Sequence, residues 1–199
     1  GELLKTNNTL KILELDNNNI TDVQSIGEGL KTNNTLKELD LSRNNITDVQ
    51  SIGEGLKTNN TLVELILYYN NITDVQSIGE GLKTNNALEE LHLDNNNITD
   101  VQSIGEGLKT NNTLTRLYLG GNNITDDSGI QSIIDGLKTN NTLKRLDLDN
   151  NNITDDTVQS IIDVLKTNNT LNDLCLSNNQ LSDNMKSQLQ AIQQYKRDG

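Results

Sequence analysis

The sequence predicts an α/β fold: a right-handed solenoid with a parallel β-sheet on the concave face and helices on the convex face. Three observations predict it. Apolar residues recur at fixed positions in seven successive segments. One half of each segment alternates apolar and polar residues with the period of a strand. In the other half, apolar residues fall at i, i+3 and i+7, one face of a helix. Strand, turn and helix repeated in one direction form a right-handed coil, and stacking such units buries a continuous core.

The pattern L-x-x-L-x-L-x-x-N-x-(I/L) begins at Leu10, Leu36, Leu62, Leu88, Leu114, Leu143 and Leu171. The first four steps are 26 residues long and the next two are 29 and 28. Taken as totals, 32% apolar content and a net charge of −12 lean towards disorder. The regular placement of the apolar residues overrides that reading. Residues 1–199 therefore read as one solenoid domain of seven repeats, with a partial repeat at 1–9 and a capping helix and tail at 182–199.

Each element has a local reason. "GELLKTNN" matches only the end of a helical segment, so the chain opens mid-repeat. A solenoid end without a polar cap exposes apolar surface, which predicts end-to-end pairing or an additional domain there. In "TLKELDLSRNNI", Leu36, Leu39, Leu41 and Ile46 point inward around a short strand. Asn44 follows, with Asn18, Asn70, Asn96, Asn122, Asn151 and Asn179 at equivalent places. A buried turn leaves backbone groups unpaired at a cost, and a column of inward amides can satisfy them. In "TDVQSIGEGLKTNN", Val49, Ile52 and Leu56 share a helical face. Asp48 suits the helix start and Lys57 its end, and Asn59 is a helix-ending residue. Gly53, on the inward face, lets a short helix sit close. Ile134 and Ile162 replace it later, predicting longer helices after Ile124 and Ile153. Finally, Met185, Leu189 and Ile192 give an amphipathic closing helix.

On these residues the chain resembles the leucine-rich-repeat family. Its step length and helical segments are similar to the ribonuclease-inhibitor-like branch. The resemblance spans nearly the whole chain and is specific for fold, while a fold by itself does not dictate an activity. Some members of that branch inhibit nucleases or act on small GTPases, so the resemblance allows a regulator of an enzyme.

Comparing the chain with itself separates two kinds of position. "SIGEGLKTNN" recurs almost unchanged, whereas the solvent-facing strand positions differ. The residue between the second and third leucines is Glu14, Asp40, Ile66, His92, Tyr118, Asp147 and Cys175 in turn. The pair preceding each column asparagine includes Ser42-Arg43, Tyr68-Tyr69 and Gly120-Gly121. Strands about 4.8 Å apart bring Ile66, Tyr68, Tyr69, His92 and Tyr118 together. Arg43, Arg116 and Arg145 flank them with carboxylates alongside, and the two glycines leave a shallow hollow. Aromatic residues with arginine dominate interface hot spots, so these eight side chains are the candidate partner-binding surface. Neutral variation on an exposed sheet is the competing reading.

Other chemistry lacks support. An acidic chain is a poor ligand for nucleic acid or anionic membrane, and no run is long enough to span a bilayer. The single cysteine, Cys175, excludes an internal disulfide and a multi-cysteine zinc site. It lies three strands from His92, roughly 14 Å away, too far for a nucleophile–base pair. No catalytic residues, cofactor or metal ligands are therefore assigned. The paired acids Asp126-Asp127 and Asp155-Asp156 are read as helix caps in preference to calcium ligands. N-x-T sequons recur throughout, and glycans on columns about 5 Å apart would crowd. That favours a cytoplasmic setting, bacterial or host-delivered, over eukaryotic secretion. The sequence thus predicts a non-catalytic module binding a protein partner, a basic one suiting the acidic charge. Its alternatives are a structural spacer or an engineered or expanded array without a dedicated ligand.

Overall fold

A computed structural model describes residues 1–125 and 128–198. Seven three-residue strands form one open parallel sheet in sequence order: β1 (Ile12–Glu14), β2 (Glu38–Asp40), β3 (Glu64–Ile66), β4 (Glu90–His92), β5 (Arg116–Tyr118), β6 (Arg145–Asp147) and β7 (Asp173–Cys175). Equivalent residues pair across every junction, as in Leu39↔Leu65 and Leu65↔Leu91. Between strands run α2 (Gln24–Leu30), α3 (Gln50–Leu56), α4 (Gln76–Leu82), α5 (Gln102–Leu108), α6 (Ser128–Leu137) and α7 (Asp155–Leu165). A short α1 (Glu2–Thr6) precedes the first strand, and α8 (Asp183–Asp198) follows the last. The chain is a leucine-rich solenoid with its sheet on the concave side. Leu36, Leu39, Leu41, Ile46, Val49, Ile52 and Leu56 are fully buried, as are their counterparts in the next two repeats.

Two asparagine columns hold the turns. In the first, Asn44 Nδ2 donates to Leu15 O at 2.9 Å and Leu41 O at 3.0 Å, while its Oδ1 accepts the Ile20 N–H at 2.9 Å. Each amide thus ties its own repeat to the preceding one. The second column was read from sequence only as a helix ending. Lys57 ends α3 with right-handed dihedrals, and the Asn59 N–H closes the last turn on Gly55 O at 2.9 Å. The Asn59 side chain does more than end a helix. Nδ2 donates to Leu30 O and Asn33 O, at 2.8 and 2.9 Å, and Oδ1 accepts the Thr61 and Leu62 N–H groups. The same bonding recurs at Asn85, Asn111, Asn140 and Asn168. Five of the twelve sequon asparagines, Asn33, Asn59, Asn111, Asn140 and Asn168, are therefore buried, with both amide hydrogens committed.

The helices are placed by small residues, though not as expected. A Cβ on Gly53 would lie 2.3 Å from the Ser77 carbonyl carbon in the neighbouring helix. The glycine therefore permits helix-to-helix contact across repeats, not approach to the sheet. Ser77 Oγ uses the same proximity to donate to Val49 O at 3.2 Å. Where Ile134 and Ile162 replace the glycine, α6 and α7 lengthen to 10 and 11 residues. Asp48 Oδ1 accepts the Gln50 N–H at 2.7 Å from just before the helix, and Asp22, Asp74 and Asp100 repeat this. Asp155 differs: it accepts the Ser182 N–H at 2.9 Å, joining α7 to the start of α8. Asp126 and Asp127 lie outside the described residues.

Candidate recognition surface

Every candidate side chain stands on the concave sheet or the turn just after it, because alternate strand residues project away from the leucine core. Tyr68 and Tyr69 meet edge-to-face with ring centroids 5.7 Å apart. Arg43, one repeat earlier, lies over both rings, 5.0 Å from the Tyr69 centroid and 5.8 Å from that of Tyr68. One strand further on, His92 stacks on Tyr118 at 4.4 Å and 11°. Arg145 covers the opposite side of that stack, 5.4 Å from the Tyr118 centroid. Ile66 sits in register beside His92. The candidates thus resolve into two aromatic–arginine groups either side of the β3–β4 junction.

Backbone conformation distinguishes one position. The residue before each column asparagine adopts a left-handed conformation: Asn17, Asn95, Asn150 and Asn178 do so with φ of 53–55°, and Gly121 with φ of 65°. Asparagine and glycine accept this readily. Arg43 (φ 53°) and Tyr69 (φ 52°) occupy the same position, where larger side chains cost about 1 kcal/mol or more. Tyr69, half exposed at 51%, is the most accessible aromatic of the sheet.

The expected hollow at Gly120-Gly121 is filled. A Cβ on Gly120 would lie 3.0 Å from Asp147 Oδ1, and one on Gly121 would lie 2.5 Å from Asn95 Oδ1. Two of the arginines meet the carboxylates expected beside them. Arg116 pairs with Glu90, and Arg145 pairs with Asp173 and reaches Asp147 at 3.4 Å. His92 Nε2 lies 3.2 Å from Glu64 Oε1 and 3.8 Å from Glu90 Oε2. It is nonetheless buried without an aligned hydrogen-bond partner.

The rest of the sheet is acidic. Glu38, Glu64 and Glu90 line up in register. Burial raises the Glu38 carboxyl above its ordinary range, and Glu64, Glu14 and Asp40 add to the effect. Burial likewise lifts Asp94. The Cys175 thiol is pushed up to about 11, by burial first and then by Asp147, the reverse of an activated nucleophile. The sequence reading missed the Glu64–Glu90–His92 group. Its signal was present: an E-x-H strand beside a strand with glutamate at the same register.

Comparisons with known proteins agree with the repeat fold. A model described as leucine-rich repeats (two copies) matches residues 60–110, and one described as leucine-rich repeat matches 6–23, 32–49, 110–131 and 139–161. No curated protein matches the sequence. Among solved structures, an internalin C2 from Listeria monocytogenes is 25% identical, covers 86% of this chain and 73% of its own, and has a TM-score of 0.52. A pollen receptor kinase 3 is 18% identical with a TM-score of 0.58 and covers 86% of this chain and 75% of its own. The latter is a likeness of fold alone.

Proposed function

We propose that this chain, which belongs to the leucine-rich-repeat family, is a protein-recognition module that receives its partner on the concave sheet between β2 and β6. Repeats of this family generally mediate protein–protein interaction, and the internalin likeness fits that role. The observation that carries the reading here is the pair Arg43 and Tyr69. Both occupy left-handed turns that four other repeats fill with asparagine, and the two side chains meet 5.0 Å apart on the open face. Neutral variation would tend to remove a strained side chain. A binding role accounts for keeping two adjacent ones, since tyrosine gives large contact area at low entropy cost and both residue types are enriched at interface hot spots.

Finer features follow from the same surface. Glu14 and Glu38 of β1 and β2 suit a basic patch on the partner, whose charge would relieve the repulsion around Glu38. A helix in every full repeat supports the ribonuclease-inhibitor-like branch. The crowding of sequons supports a cytoplasmic setting.

The test replaces Tyr68, Tyr69 and Tyr118 with alanine. Affinity for a partner captured from the source cell is expected to fall at least roughly tenfold, the loss of one or more hot-spot residues, with the circular dichroism spectrum unchanged. Undiminished affinity would remove the site assignment. A spacer without a ligand would instead capture nothing that the triple variant loses.

A further inference from the structure

We propose that Glu64, Glu90 and His92 form a site for a single divalent transition-metal ion, of which zinc is the representative. The site does not depend on the recognition reading. Its geometry follows from strand register. Glu90 and His92, two residues apart on β4, project from the same face, and Glu64 on β3 is the direct cross-strand partner of Glu90. One ligand atom from each of the three lies within 4.8 Å of the others.

The distances fit shared coordination better than a network of hydrogen bonds. Tetrahedral zinc with bonds of about 2.0–2.2 Å places its ligand atoms roughly 3.4 Å apart. His92 Nε2 stands 3.2 Å from Glu64 Oε1 and 3.8 Å from Glu90 Oε2. These carboxylates are off the nitrogen's own axis, so Nε2 is buried yet makes no hydrogen bond. Ligands that share a metal with an imidazole occupy such off-axis positions.

The surroundings fix the ligands. The Tyr118 ring holds the imidazole plane by stacking at 4.4 Å, and Arg145 lies against that tyrosine. Arg116 engages Glu90 through Oε1, leaving Oε2 towards the histidine. Outer contacts of this kind orient ligands and strengthen binding. The side chains are largely shielded, at 20% exposure for His92, 31% for Glu64 and 23% for Glu90. Imidazole with two carboxylates suits borderline ions such as zinc. Three protein ligands leave a tetrahedral ion one further position, available to water or to a side chain of a bound protein.

His92 is the only histidine of the chain, so tag-free, 15N-labelled protein reports the site with one imidazole signal. Titration with zinc chloride is expected to show one saturable site by calorimetry and a shift of the Nε2 resonance with the same saturation. His92→Ala and Glu64→Gln, each checked by circular dichroism, are expected to weaken binding at least roughly tenfold. Absence of saturable binding, an unmoved imidazole signal, or binding retained by folded His92→Ala overturns the proposal. The imidazole measurement uses unaltered protein, so it decides the question even if a variant misfolds.

Discussion

The first asparagine column makes a quantitative prediction, because not every bond it forms is irreplaceable. Asn70 Nδ2 donates to Leu41 O at 3.0 Å and Leu67 O at 3.1 Å, and Oδ1 accepts the Ile46 N–H at 3.0 Å. Both carbonyls have a second donor: Asn44 Nδ2 serves Leu41 O and Asn96 Nδ2 serves Leu67 O. The buried Ile46 N–H is bonded only through Asn70. Asn70→Ala therefore orphans one buried donor, at about 1–3 kcal/mol, and removes two further bonds of about 0.5–1.5 kcal/mol each. The expected destabilisation is about 4 kcal/mol, within a range of about 2–6 kcal/mol. Asn18 is the internal control. It is exposed, donates locally to Leu15 O and Asp16 O, and has no earlier strand repeat to serve. Asn18→Ala should cost about 1 kcal/mol or less. Urea unfolding of both variants, fitted with the parent m-value, measures the difference. Equal losses for the two would refute the claim that the column acts by joining repeats, as would a loss below about 1 kcal/mol for Asn70→Ala.

Two further predictions concern backbone geometry. Arg43→Asn and Tyr69→Asn each relieve a left-handed residue of about 1 kcal/mol but lose their shared cation–π contact of about 0.5–1 kcal/mol, together with one contact each to Tyr68, the Arg43 cation–π contact or the Tyr69 edge-to-face contact. The double variant, which loses the shared contact only once, should be more stable than the sum of the two single effects predicts by about 0.5–1 kcal/mol. A double-mutant cycle in urea checks this, and strictly additive effects would show that the pair does not interact. Gly53→Ala should destabilise by more than about 2 kcal/mol. That is opposite in sign to the gain of about 0.5–1 kcal/mol for such a change inside an unhindered helix, because the added Cβ lies 2.3 Å from the Ser77 backbone. A thermal melt showing a gain would mean that α3 and α4 can separate without loss.

The fold was legible because its determinants are local and repeated. Leu39 and Leu41 announce a strand, Val49, Ile52 and Leu56 a helix, and seven copies in register leave little freedom in how they stack. The limits arose where function depends on what a neighbouring repeat contributes. Asn59 looks like a helix terminator within its own segment, and its ladder appears only once Leu30 O and Asn33 O arrive from the previous turn. Gly53 looks inward until the adjacent helix is in place. At Gly120-Gly121 the absence of side chains suggested space, but Asp147 and Asn95 from the flanking repeats occupy it. For the candidate surface, composition identified the aromatic and arginine residues. It also placed carboxylates beside the arginines, as the Arg116 and Arg145 ion pairs bear out, but it did not reveal that the candidates divide into two stacks.

The scaffold also explains why the concave face is free to vary. Strand pairing and the two asparagine columns satisfy the turns from within, so the outward residues of β1 to β7 carry little responsibility for folding. Such a surface drifts readily, and aromatic content alone does not separate function from drift. Strain does, because it sets a direction for drift. At the left-handed position, replacement by asparagine relieves the backbone, and asparagine or glycine stands there in five of seven repeats. Arg43 and Tyr69 run against that direction in adjacent repeats, and their side chains meet. If the double asparagine variant proves more stable than the parent and also loses its partner, stability will have been given up for binding at one turn position. If it is more stable and binds undiminished, the two residues are remnants, and recognition must be sought at the His92–Tyr118 stack.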